Sequence, residues 1–159
     1  MQNTKSPWFV VERSEALASW LLTSRKDVRV RNEKKNDDGV DLLVEIDLGV
    51  HSFPNLFVVL VKGTLSSDTA QWNDTLSQQF PNGSGSFSLP ACLFVVNVRT
   101  NEAQYSWIAE PVVDKDTAEL HFDTDGHFQP LNIDAVNEIV DRVRVWYERL
   151  PNHLKHRTS

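Results

Sequence analysis

A chain of 159 residues, 40% apolar and 24% charged with five tryptophans, has the length and composition of one folded domain spanning 1–159, and this excludes a disordered chain. Its 22 acidic against 16 basic residues leave a formal net charge of −6, without the basic footprint of a protein that grips long nucleic acid unaided. The longest apolar runs, 56–61 and 91–96, are too short to span a membrane, the opening MQNTKSPWF has no apolar signal core, and the single Cys92 has no partner for an internal disulfide, so a reducing cytoplasm is the expected compartment.

From Val11 to about Ser24, VERSEALASWLLTS is rich in helix formers and puts Ala16, Trp20 and Leu21 near one face with Glu15 beside it, which predicts a first helix. VRVRN then alternates as a short strand, and KKNDDG breaks it. The basic residues of SRKDVRVRNEKK (24–35), like those of the tail from His153 through Arg157, are candidates for a local basic patch but read first as solvated surface.

Two long strands follow. Over Val40 to about Leu48, side-chain alternation separates Val40, Leu42, Val44 and Ile46 from Asp41, Leu43, Glu45 and Asp47; over Leu56 to Lys62 it groups Val58, Leu60 and Lys62. GVHSFPN between them suits a hairpin loop. A hairpin centred near His51 and Ser52 sets Asp41 opposite Lys62 and Leu43 opposite Leu60, with a slip of one residue sending the set to the other face.

SSDTAQWNDTLSQQF carries a capping signal at Ser67 or Asp68 and apolar residues at Trp72, Leu76 and Phe80, so a second helix is expected before the loop PNGSGSFSLP. CLFVVNV is a continuous apolar run typical of a strand buried on both faces, with Cys92 as a small core residue, and AQYSWIAEP is its neighbour. ELHFDTDGHF reads as a hairpin turning at Asp125-Gly126. NIDAVNEIVDRVRVWYERL closes the pattern as a helix capped by Asn132, with Ile133, Val136, Val140, Val143 and Tyr147 on one face. Helix, strands, helix, strands, helix describe a layered α/β or α+β domain around a central mixed sheet.

DGVDLLVE followed by LFVVLVKGT, then LPACLFVVNV and AQYSWI, behind a helix with Glu15 in SEALA, resembles the bacterial DUF4365 family, a branch of the PD-(D/E)XK nuclease-like superfamily. The match runs from about residue 12 to 110. It implies a restriction-endonuclease-like three-layer core, with a central mixed sheet flanked by helices. It further implies that Asp41 is a metal-binding aspartate at the start of the second core strand, that Lys62 assists the attacking water, and that Glu15 completes the metal site from the helix. A Mg²⁺ or Mn²⁺ there would take oxygens from Asp41, Glu15 and the Val61 carbonyl, and would neutralise charge on a scissile DNA phosphate. A role in defence or DNA processing, with a larger protein partner, follows by the same analogy.

The chain departs from the family where Leu60 stands two residues before the lysine, at a position that usually carries Glu or Gln. Leucine offers no oxygen. Glu45 cannot easily replace it, since four residues of strand separate it from Asp41 by about 13 Å. Asp37 and Asp38 lie nearby in sequence. Two functions therefore stand open: a Mg²⁺-dependent nuclease, and a degenerate module of the same fold that binds nucleic acid or a protein.

Other signals are weaker. DTDGH opens like a calcium loop but lacks the twelfth-position Glu, where Asp134 stands. His121 and His127 have no Cys or third His beside them and read as surface residues. PNGSGS lacks a following Lys-Ser/Thr and leads into a strand, so it is not a phosphate loop. Trp72, Trp107 and Trp146 have the spacing of core residues rather than of a base-stacking platform.

Overall fold

The computed structural model describes residues 7–33, 40–47, 55–66, 88–122 and 127–150, without the side chains of 32, 33, 40 and 41. Within these residues lie helix α1 (Trp8–Leu22), strands β1 (Val28–Glu33), β2 (Val40–Ile46), β3 (Asn55–Thr64), β4 (Ala91–Asn97), β5 (Glu102–Val113), β6 (Ala118–Phe122) and β7 (Gln129–Pro130), and helix α2 (Ile133–Arg149). The fold is α+β, with one mixed sheet ordered β1-β2-β3-β4-β5-β6 and β7 attached to β5. Strands β1, β2 and β3 form an antiparallel meander, β4 runs parallel to β3, and β5 returns antiparallel to β4. A parallel neighbour demands a crossover connection. The segment predicted as a second helix, with Trp72, falls in that connection and lies outside the described residues, as does PNGSGS.

One sheet face carries the main core. Leu42, Val44, Ile46, Phe57, Val59, Val61, Cys92, Phe94 and Val96 pack there beneath both described helices. The other face holds a smaller buried cluster of Leu60, Ala91, Leu93, Val95, Ile108 and Ala109. Strand β4 is thus buried on both faces, as its unbroken apolar run predicts.

Helix α1 does not use the face expected of it. Ala16 is exposed and Trp20 is 63% exposed, while Val10, Ser14, Ala18, Leu21 and Leu22 turn inward. The inward face meets β3 closely at its N-terminal half. A Cβ added to Gly63 of β3 would lie 2.5 Å from Val10 Cγ1, 2.8 Å from the Val10 carbonyl oxygen and 3.0 Å from Ser14 Oγ, so the strand approaches the helix too closely for any side chain at that point. Val10 and Ser14 face the crossing, and Trp20, more than one turn further along the helix, lies outside it.

Helix α2 begins as expected: the Asn132 side chain accepts a hydrogen bond from the Ala135 N–H at 2.8 Å. Its buried stripe is Ala135, Val136, Ile139, Val140, Val143 and Trp146. Ile133, expected inward, is 46% exposed because it sits on the helix's flank in the first turn. Trp107 and Trp146 are buried core residues.

The strands that flank the turn expected at Asp125-Gly126 are not shown pairing with each other: β6 and β7 both pair with β5, Ala109–Val113 with β6 and Gln104–Tyr105 with β7. The tight reversal comes earlier, where the Asp114 N–H donates to the Thr117 carbonyl at 2.9 Å. Residues 123–126 lie outside the described residues.

Candidate functional site

Where β2 begins, β3 has not yet ended. Val40 pairs with Val61, and Lys62, Gly63 and Thr64 run on beside Val95, Val96 and Asn97 of β4, beyond the first described residue of β2. The sequence-predicted site lies at this step. Its register differs from expectation by two residues: Asp41 is opposite Leu60 rather than Lys62, and Leu43 is opposite Val58 rather than Leu60. A shift of two keeps the face, because side chains alternate with period two. In the backbone register Asp41 and Lys62 become a diagonal pair, with Cα atoms about 7–8 Å apart.

Lys62 is half-buried and already engaged in an interaction with the protein. Leu60, at the position where an oxygen ligand is wanted, is only 9% exposed and belongs to the apolar cluster with Leu93 and Val95. The side chain is part of the second core. Val61 points into the main core, 2% exposed, and its backbone lies between Val40 and Phe94.

Glu15 is half-buried on α1, beside Ser14, which abuts Gly63. Yet α1 covers the face that carries Val59 and Val61, while Leu60 and, by alternation, Lys62 belong to the opposite face. Glu15 and Lys62 therefore stand on opposite sides of β3. The register brings together Asp41 and Lys62; it does not bring Glu15 to the same side.

Glu45 is excluded from the site. It pairs with Leu56, six residues and about 20 Å along β3 from Lys62, and it forms an ion pair with Arg31 at 3.5 Å. Asp37 and Asp38 lie outside the described residues. Among the described residues no group of three His, Cys, Asp or Glu is arranged to hold a metal. His121 and His127 are exposed, His121 Nε2 lying 3.3 Å from Glu119 Oε2. Cys92 is fully buried, and burial pushes its thiol well above the usual range, which makes it unreactive.

Two features escaped the sequence reading. Gly63 had a signal, since glycine inside a strand pattern marks close backbone approach. The other is a groove between α1 and the start of α2, bordered by exposed Trp20 and Ile133, which had none because it depends on how the two helices are set together. Comparison with protein-family models, with curated proteins and with solved structures returns no match.

Proposed function

We propose that this chain is a PD-(D/E)XK nuclease-like module, of the kind the resemblance to DUF4365 implies, that binds nucleic acid or a protein partner rather than cutting DNA. The burial of Leu60 carries this reading. A metal site at the Lys62 step needs an oxygen donor there, and the residue instead packs with Leu93 and Val95. Glu15, the candidate replacement, is borne by the helix on the other face. Mg²⁺ demands a near-octahedral set of oxygens at about 2.1 Å, and these residues fit that demand poorly.

The fold-level part of the proposal is supported by a mixed sheet with an aspartate as the second residue of its second strand and a lysine on the third. A restriction-endonuclease-like core is in keeping with that arrangement. A second reading, the Mg²⁺- or Mn²⁺-dependent nuclease acting in defence or DNA processing, is favoured by one observation: the diagonal relation of Asp41 to Lys62 in the backbone register of β2 and β3.

Incubation of supercoiled plasmid with the protein in Mg²⁺ or Mn²⁺ separates the two. The binding module leaves the plasmid intact at every protein concentration. Nicking or linearisation that disappears in Lys62→Ala, with unchanged thermal unfolding, overturns it in favour of the nuclease.

A further inference from the structure

We draw no further inference here: the strongest candidate, the cleft between α2 and the end of β5 lined by Val113, Glu138, Asp141, Arg142 and Val145, carries nothing, because Arg142 is already held by Glu110, the Pro111 carbonyl and the Trp107 ring, and Asp141 by Arg25 and Arg144, and nothing in the structure shows what covers the apolar walls that remain.

Discussion

Asp41 of β2 pairs with Leu60 of β3, so Lys62 lies one pleat further along β3, diagonal to Asp41 in the backbone register. That leaves a core leucine directly opposite the one aspartate of the site. Leu60→Gln, which restores the family's usual oxygen, should destabilise the protein by about 2–4 kcal/mol, through lost apolar burial and an amide without a partner among Leu93, Val95 and Ile108. Urea unfolding measures it. A variant as stable as the wild type would mean that position 60 lines an open site.

Gly63→Ala should cost about 1–3 kcal/mol, because the new methyl meets Val10 Cγ1 and the Val10 carbonyl and the helix must be pushed off the strand. Adding Val10→Ala relieves only the first of those contacts, so the double variant should recover part of the loss and no more. Chemical denaturation of the two variants checks both statements.

Tyr147 ties the end of α2 to the start of β3: its hydroxyl accepts from the Leu56 N–H at 3.2 Å and donates to the Leu56 carbonyl. Tyr147→Phe leaves both backbone groups short of a partner and should cost about 1–2 kcal/mol. Burial pushes the Tyr147 hydroxyl above its ordinary value, with the Leu56 backbone hydrogen bond opposing. A group raised in the folded state gives stability that is complete below its unfolded pKa, about 10, and is lost as pH rises through the folded value. Thermal unfolding of the wild type should therefore fall more steeply than that of Tyr147→Phe once the pH passes that point.

Arg25 holds Asp27 through two bonds, Nε to Oδ1 at 2.9 Å and Nη2 to Oδ2 at 2.8 Å, and reaches across to Asn137 and Asp141 of α2 at 3.3 and 3.4 Å. Arg25→Met should cost about 1–3 kcal/mol at neutral pH. The hydrogen bond from Arg25 holds the Asp27 carboxyl below its ordinary value, against a smaller opposing effect of burial. A lowered carboxyl gives stability present above its unfolded pKa, about 3.9, and lost as pH falls through the folded value. The gap between variant and wild type should narrow in acid, as denaturation at pH 7 and pH 3 would record.

Much of the fold is legible in the sequence wherever pattern alone decides it. Period-two alternation identifies the buried faces of β2 and β3, the unbroken run of β4 announces burial on both sides, and Asn132 caps α2 as its position suggests. Register is different: it depends on the geometry of the turn between Ile46 and Asn55, and residues 48–54 do not reveal in sequence how many of them the turn consumes. The inward face of α1 was hidden for a related reason. Trp20 looks in sequence like an anchor of that helix, but the face that meets Gly63 carries Val10 and Ser14 instead. The relation of Glu15 to Lys62 could not be read at all without knowing which sheet face α1 covers.

The most direct measurement is a calorimetric titration of Mn²⁺ and Mg²⁺ into the wild type and into Asp41→Ala. A binding module with Leu60 in its core gives no saturable metal binding that depends on Asp41, and the two titrations superimpose. Saturable binding in the wild type that vanishes in Asp41→Ala would contradict this, and would mean that oxygens from elsewhere complete a metal site at the Lys62 step.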